Sequence, residues 1–274
     1  MKSRKVVLIT GASSGIGAKT ALTLGREGYR LVLAARRVDR LEAIAAQIRQ
    51  SGGEAIALGL DLSRQDQIIQ LVDKVQDHFG GIDILVNNAG SASHLWLDEL
   101  SLERDITQHL QVNLVGMIQL TRLVLPGMLE SGGGQIVQIS SVAAWVGLPT
   151  YSIYNASKFG ARGFMSGLRR ELRGTNVVVS EIFPGGVDTD FAEDPRVGWQ
   201  TRKVTPAFAL VSSQEVADKI LLTIRRRQKR SVIPWIMWLP IWADAHFPRF
   251  VSWVLSFQFY TRDGVRYSWG RKAE

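Results

Sequence analysis

Val6-Val7-Leu8-Ile9-Thr10-Gly11-Ala12-Ser13-Ser14-Gly15-Ile16-Gly17 decides the fold. Its first four residues form an unbroken apolar run, the pattern of a strand buried on both faces of a parallel sheet. Three glycines follow at Gly-x3-Gly-x-Gly spacing, and a helical pattern then runs from Ala18 to Arg26 and stops at Gly28. Strand, glycine turn and helix together make the context in which a dinucleotide binds. The glycines let the backbone turn tightly and approach a pyrophosphate. The free amides at the helix start bind its charge.

The rest of the chain repeats that alternation. Strands are expected near 5–10, 30–35, 54–60, 82–88, 134–140, 177–183 and 230–234. Helices are expected near 15–28, 38–51, 64–79, 102–130, 152–173 and 213–227. Crossovers of that length imply parallel strands with helices on both faces. The expected architecture is an α/β fold: a Rossmann-type, doubly wound, seven-stranded parallel sheet flanked by helices. Ligands of such sheets lie beyond the carboxyl ends of the strands. With 274 residues, 46% of them hydrophobic, the chain fits one such domain over 1–235 and an aromatic, basic extension over 236–274. No internal repeat or low-complexity linker interrupts it. Met1-Lys2-Ser3-Arg4-Lys5 runs straight into the first strand, and Val6 to Ile9 is too short for the apolar part of a signal peptide.

A second stretch carries chemistry. Tyr154-Asn155-Ala156-Ser157-Lys158 places a phenol and an ammonium on one face of a helix, one turn apart. A nearby cation favours phenolate over phenol and so lowers the tyrosine pKa. A tyrosine tuned in that way exchanges a proton with an alcohol or carbonyl oxygen near neutral pH. Ser141 lies thirteen residues upstream of Tyr154, with Ser140 beside it as a competing hydroxyl. The end of the second strand, Leu33-Ala34-Ala35-Arg36-Arg37, contains no acid. An NAD site of this type commonly has one there to bond the ribose hydroxyls. Two guanidiniums instead suit a 2′-phosphate, by charge and by paired hydrogen bonds, so NADP(H) is the expected cofactor.

From about residue 5 to 235 the chain resembles, in register, the short-chain dehydrogenase/reductase family. Thr10-Gly11-x3-Gly15-Ile16-Gly17 is similar to the family's cofactor turn, and Asp61-Leu62 stands where the family contacts adenine. Asn87-Asn88-Ala89-Gly90 is similar to its motif at the end of the fourth strand. Asn113, Ser141, Tyr154 and Lys158 match its catalytic residues, and the thirteen-residue spacing favours Ser141 over Ser140. Pro184-Gly185-Gly186-Val187-Asp188-Thr189 resembles its nicotinamide-side loop, and Phe191 to Phe208 its variable substrate loop. Ser14 stands where many NADPH-preferring relatives carry a basic residue, and its hydroxyl can also bond phosphate.

The resemblance implies an oxidoreductase that interconverts a ketone and a secondary alcohol by hydride transfer with NADP(H). Tyr154 would pass the proton, Ser141 would hydrogen-bond the reacting oxygen, Lys158 would hold the nicotinamide ribose and Asn113 would hold a relay water. Cofactor contacts are expected from Gly11, Ser13, Ser14, Gly15, Ile16, Gly17, Arg36, Arg37, Asp61, Leu62, Asn88, Ala89, Gly90, Tyr154, Lys158, Pro184, Gly185, Val187 and Thr189. Substrate contacts are expected from Ser141, Tyr154, Trp145 and Leu148. The alternative is a cofactor-binding regulator or membrane-peripheral scaffold on the same fold. The intact Ser141, Tyr154 and Lys158 argue against it.

Composition narrows the partners. There is no cysteine, which excludes disulfides and thiolate metal sites and is compatible with a reducing cytosol. His78, His94, His109 and His246 show no metal-ligand spacing, so no metal is expected, and His94 and Trp96 read as packing residues. The net charge is +8, and residues 225–274 hold ten Lys or Arg against three Asp or Glu. Those residues also hold five of the eight tryptophans: Trp235, Trp238, Trp242, Trp253 and Trp269. No recognisable nucleic-acid fold accompanies the charge, so no nucleic acid is expected. The basic cluster from Arg225 to Arg230 precedes an apolar run, Val232 to Ala243, that is too short to span a bilayer.

Such a segment suits the headgroup region, with indole anchors and cations facing acidic lipid. The expectation is a cytoplasmic homo-oligomer, dimer or tetramer, in peripheral contact with anionic membrane. Its small-molecule substrate would be a lipophilic ketone or alcohol of steroid, long-chain 3-keto lipid or retinoid type. A substrate lid and a subunit contact are the other readings of the same aromatic surface. Arg196, Trp199, Arg202 and Lys203, at the tip of the substrate loop, are placed to meet an anionic group.

Overall fold

Val6–Thr10 (β1) is buried along its whole length, as an unbroken apolar run requires of a central strand. The structure is a computed structural model that describes residues 4–188 and 207–260. Arg30–Ala35 (β2) and Ile84–Asn87 (β4) flank β1, with Val7 level with Leu31 on one side and Ile84 on the other. Glu54–Gly59 (β3) closes the edge beyond β2. Gly134–Ile139 (β5) and Val177–Pro184 (β6) extend the sheet beyond β4. Gly186–Asp188 (β7) and Leu210–Ser212 (β8) form a separate parallel pair, and Arg230–Ile233 (β9) completes the main sheet. Its order is β3-β2-β1-β4-β5-β6-β9, all parallel. The direction of winding reverses between β1 and β4, the place where such sheets hold ligands.

Alternate side chains of β1 serve two cores. Val7 and Ile9 pack with Gly15–Arg26 (α1), Val38–Gln50 (α2) and Ser213–Arg226 through Leu24, Leu41 and Ile220. Val6 and Leu8 pack with Gln65–Phe79 (α3), Leu102–Glu130 (α4) and Ser152–Glu171 (α5) through Leu71, Leu120 and Met165. The helix Ser213–Arg226 is α6. Each fully buried aliphatic side chain contributes roughly 1.5–3 kcal/mol. All seven expected strands and six expected helices are present, their ends within two residues of the expected ones.

Two features departed from the pattern read in the sequence. The first is that α4 is wound as π-helix over Leu102–Thr107 and again over Gln111–Val115. π-turns inside longer helices are frequent at functional sites. The second concerns the charge at the carboxyl end. After β9 the chain makes a 3-10 turn, Trp235–Met237, and two helices, Trp238–His246 (α7) and Pro248–Tyr260 (α8). The basic cluster was expected to share a surface with these aromatic helices. Most of it lies at the start of β9, whose four residues span roughly 13 Å, while Arg230 reaches back to within 5.7 Å of the Trp145 ring that α7 covers. Three of its cations are engaged with the body of the fold. Arg225 pairs with Glu27, Arg227 donates to the Asn176 carbonyl at 2.6 Å, and Arg230 pairs with buried Glu181 at 3.6 Å.

Candidate active site

At the switch point, neighbouring backbone holds the glycine turn. The Thr10 hydroxyl accepts hydrogen bonds from the Asn88 and Ala89 amides at 3.1 and 3.0 Å. The Asn88 side-chain amide donates to the Thr10 and Gly11 carbonyls at 2.9 and 3.2 Å. Gly11 has φ +66° and Gly15 φ +53°, a left-handed backbone that glycine adopts without Cβ strain. A Cβ at Gly17 would come within 2.2 Å of the Gly11 carbonyl oxygen. α1 starts at Gly15, and the Ser14 side chain does not cap it. Its first-turn amides have no intrahelical partner and suit an anion.

The serines face a cation. Arg37 Nη2 donates to the Ser14 hydroxyl at 2.7 Å and to the Ser13 hydroxyl at 3.3 Å. A guanidinium and two hydroxyls therefore converge at the end of β2, a donor set that fits a phosphate. Arg36 lies beside Asp61, where both line a cavity of about 540 Å³ with Gln70 and Lys74. Burial works to raise the Asp61 pKa. Hydrogen bonds from the Ser63 amide and hydroxyl, with Arg36 and Arg64 nearby, outweigh it and hold the carboxyl below its ordinary value. Leu62 is buried, and its carbonyl oxygen would be 2.2 Å from a Cβ at Gly116 on α4.

The expected catalytic residues come together from α4, α5 and the end of β5. Ser141 caps the turn Val142–Ala144, its hydroxyl accepting from the Ala143 amide at 3.1 Å. Its hydroxyl is also near enough to the Tyr154 phenol to favour the charged form of that group. The competing Ser140 hydroxyl is buried with no hydrogen-bond partner among the described residues. On α5, Lys158 Nζ stands 5.4 Å from the Tyr154 ring centroid and donates to the Ile139 carbonyl at 3.3 Å. Asn113 lies in the second π-turn. Its side chain accepts from the Ser91 amide at 2.8 Å and donates to the Ser91 carbonyl at 2.7 Å and the Ser157 hydroxyl at 3.3 Å. Ser157 donates in turn to the Tyr154 carbonyl at 2.7 Å. A Cβ at Gly90 would be 3.4 Å from Asn113 Oδ1 and 3.8 Å from Lys158 Nζ, so Gly90 marks where the two side chains meet.

The electrostatics differ from the sequence expectation. Burial pushes the Tyr154 phenol up to about 12, with the Ser141 hydroxyl lowering it and Tyr151 raising it. Burial also pushes Lys158 down to about 8. Desolvation penalises both charged forms. The ammonium lies over the tyrosine ring and does not bring the phenol below its ordinary value.

Trp145 and Leu148 occupy different layers. The Trp145 ring meets Phe183 and Trp238 edge to face, at 5.6 and 6.0 Å between centroids, with Arg162 Cζ 3.9 Å above it. Leu148 packs against that cluster and also against Tyr151 and Tyr154. On the nicotinamide-side loop, the Gly185 amide after Pro184 donates to the Ile233 carbonyl at 2.8 Å, and Val187 pairs with Val211. Thr189, Arg196, Trp199, Arg202, Lys203 and Trp269 lie outside the described residues.

The sequence reading missed several participants. Thr10 and Ser157 stood inside the quoted motifs, and only their hydrogen-bonding capacity could have singled them out. Tyr151 is one helical turn before Tyr154, a spacing that marks a neighbour. Its ring is 5.8 Å from Tyr154 and 4.5 Å from buried His94. Ser91 contributes backbone groups, which leave no signal in residue type.

Residues 5–197 match the family model for short chain dehydrogenases. The ketoacyl reductase HetN of Nostoc sp. is 35% identical over 231 residues, covering 84% of this chain and 78% of that protein. A short chain dehydrogenase/reductase from Burkholderia phymatum, solved in complex with NAD, aligns at TM-score 0.83 and 27% identity over 90% of this chain and 95% of its own. A variant of actinorhodin polyketide ketoreductase solved with NADPH aligns at TM-score 0.76 and 31% identity over 86% and 98%. The parallel sheet, the switch-point turn and a match over most of the chain agree: this protein belongs to the short-chain dehydrogenase/reductase family of nucleotide-binding oxidoreductases.

Proposed function

We propose that the protein is an NADP(H)-dependent oxidoreductase that interconverts a lipophilic ketone and its secondary alcohol. The observation that carries this reading is the meeting of Ser141, Tyr154, Lys158 and Asn113 beyond the carboxyl ends of β4 and β5, beside the glycine turn. Reduced nicotinamide, when bound, supplies the hydride. The chain supplies the proton and the hold on the reacting oxygen. As negative charge builds on that oxygen, Tyr154 donates its proton and the Ser141 hydroxyl hydrogen-bonds it. A phenol held near 12 is protonated at neutral pH, the form that reduction consumes. Lys158 remains largely charged at pH 7 and would hold the nicotinamide ribose, and Asn113 would hold a relay water. A cofactor-binding regulator would have no use for Ser141 and Tyr154 brought side by side.

Several features support the finer details. Arg37 on the Ser13 and Ser14 hydroxyls favours the 2′-phosphate of NADP(H). Asp61 and Leu62 take the adenine side, and Pro184, Gly185, Val187 and Thr189 the nicotinamide side. Leu148 lines the substrate side, with Trp145 behind it. The ketoacyl reductase relative favours a long-chain 3-keto lipid among the expected substrate types.

The extension suits a membrane surface. Trp235 is 74% exposed, and Leu239, Trp242, Phe247, Phe250 and Trp253 are exposed beside it. Half-exposed indoles partition to the headgroup region. With most of the basic cluster at the start of β9 and Arg249 on α8, this contact is apolar more than electrostatic. Val115 on α4 and Phe159 on α5, each 38% exposed, offer apolar surface for a second copy in a homo-oligomer. The absence of cysteine agrees with a cytoplasmic enzyme peripheral to the bilayer.

A series of ketones of rising chain length, tested for NADPH oxidation with and without zwitterionic and anionic liposomes, tests this reading. The rate should rise with chain length and again with either liposome. If no ketone in the series consumes NADPH, the reading fails.

A further inference from the structure

We propose that the inner face of the C-terminal extension belongs to the catalytic unit, and that Trp238 is a positioning residue that holds Ser141 in place through Trp145. The inference rests on the oxidoreductase reading of Ser141 given above.

Ser141 sits at the mouth of a tight turn. The Ala144 amide donates to the Ser141 carbonyl at 2.9 Å, and the Trp145 and Val146 amides donate to the Val142 carbonyl at 2.9 and 3.1 Å. Trp145 is therefore tied to Ser141 by a single turn of backbone, and whatever fixes its ring also fixes the serine. Besides Arg230 at the start of β9, whose guanidinium carbon is 5.7 Å from its centroid, three elements fix that ring. Arg162 comes from α5, one turn beyond Lys158, and its guanidinium lies 3.9 Å above the ring centroid. Phe183 comes from β6, fully buried. Trp238 comes from α7, meets the ring edge to face and leaves 41% of its own surface exposed.

The first two neighbours belong to the Rossmann core, and the third belongs to the extension. Around Trp238, Met237, Ile241, Val251 and Leu255 pack in one cluster with Val142, Ala144 and Val146 of the serine turn. Ile241 is only 5% exposed. A Cβ at Gly185 would stand 3.5 Å from Met237 Cγ, so the extension also backs the nicotinamide-side loop. Without α7 and α8, one side of the turn that carries Ser141 would face water. The sequence suggests a domain complete at residue 235. These contacts divide the extension instead into an inner face that supports the serine and an outer face left for another surface. Catalysis is sensitive to such support, because a displacement of about 1 Å costs on the order of a hundredfold.

A double-mutant cycle in the full chain tests the proposal. The variants are Ser141→Ala, Trp238→Ala and the pair, with Trp242→Ala as an outer-face control. The probes are NADPH oxidation with a long-chain 3-ketoacyl thioester and NADPH binding by fluorescence. Trp238→Ala should lower kcat by about ten- to a hundredfold, with KM and NADPH affinity unchanged within about threefold. In the Ser141→Ala background the same change should cost less than about twofold, because the group being positioned is gone. Trp238→Phe should restore most of kcat, and Trp242→Ala should leave it unchanged. If Trp238→Ala gives no cooperative melt, Trp238→Leu carries the same cycle and is judged in the same way.

Additive losses, an unchanged kcat, or a loss of NADPH affinity equal to the loss of kcat would overturn the proposal. A Ser141→Ala variant with normal turnover, or a chain that reduces no ketone at all, would overturn the underlying reading of Ser141 and this proposal with it. That result is separate from additivity, which leaves the reading of Ser141 standing.

Discussion

The two halves of the sheet hold their parts of the site by different means. Around β1, β2 and β4 the cofactor half is closed by backbone: the Thr10 hydroxyl on two amides, Asn88 on two carbonyls, and Gly17 against the Gly11 carbonyl. Around β5, β6 and β9 the substrate half is assembled from side chains that meet across large sequence separations. Trp145, Phe183, Arg162 and Trp238 come from four different elements. A backbone-closed site depends on glycines at fixed spacing. A packed one depends on volume and tolerates change wherever space remains. Binding and chemistry should therefore be separable by mutation.

The largest expected effect is on chemistry alone. Tyr154→Phe keeps the ring and removes the proton, and turnover should fall by about 10²- to 10⁴-fold while NADPH binding stays unchanged. If steady-state kinetics and a fluorescence titration of this variant show binding lost along with turnover, the two halves are not independent.

A pair of glycines sharpens the contrast. Gly17→Ala would place a Cβ 2.2 Å from the Gly11 carbonyl oxygen and 2.7 Å from Asn88 Nδ2. Overpacking of this kind costs roughly 1–3 kcal/mol, so NADPH affinity should fall by about ten- to a hundredfold. Gly147→Ala, in the substrate half, meets nothing within 4 Å and should leave affinity and turnover unchanged. Calorimetric titration of both variants checks this, and equal losses would erase the distinction.

Within the cofactor half the two arginines should separate. A charged hydrogen bond is worth roughly 1.5–3 kcal/mol. Arg37→Ala should therefore weaken NADPH by about ten- to a hundredfold and NADH much less. Arg36→Ala, beside Asp61, should change the NADPH-to-NADH ratio little. The kcat/KM ratio for the two cofactors decides between them, and a larger effect at Arg36 would reverse the assignment.

The smallest effect is on stability, seen in urea melts along a pH series. The Lys158 pKa falls from 10.5 to about 8 on folding, so between those values the unfolded chain binds more protons and stability rises with pH. The Tyr154 pKa rises from 10.0 to about 12, so over that window the unfolded chain has lost a proton that the folded chain keeps, and stability falls with pH. Lys158→Met should flatten the rise and Tyr154→Phe the fall. Unchanged slopes would mean that neither group is desolvated as the structure has it.

The contrast between the halves also explains what could be read from the sequence. Strands β1 to β6 announced themselves as apolar runs bounded by turn residues, and the cofactor turn as glycines at fixed spacing. The placement of Asn113 against Ser91 depends on a π-turn that no residue type encodes. Arg36 and Arg37 were legible as phosphate chemistry. Which of them reaches Ser13 and Ser14 depends on the direction in which each leaves β2. Most of the basic cluster and the aromatic helices are adjacent in sequence yet separated by β9, because an extended strand moves the chain about 3.3 Å per residue, and the long side chain of Arg230 bridges back to Trp145. The raised phenol of Tyr154 reflects burial by Tyr151, Leu148 and Ala92, contacts made only in the fold.

The most direct test of the account follows the hydride itself. The protein is mixed with a long-chain 3-ketoacyl thioester and NADPH deuterated on the transferred position of the nicotinamide, and the product is analysed by mass and position of label. The account predicts a secondary alcohol formed one-for-one with NADPH consumed, with deuterium on the carbinol carbon. Saturable NADPH binding with no labelled alcohol from this substrate or from any ketone of the chain-length series would contradict it, and would leave the fold serving as a cofactor-binding regulator.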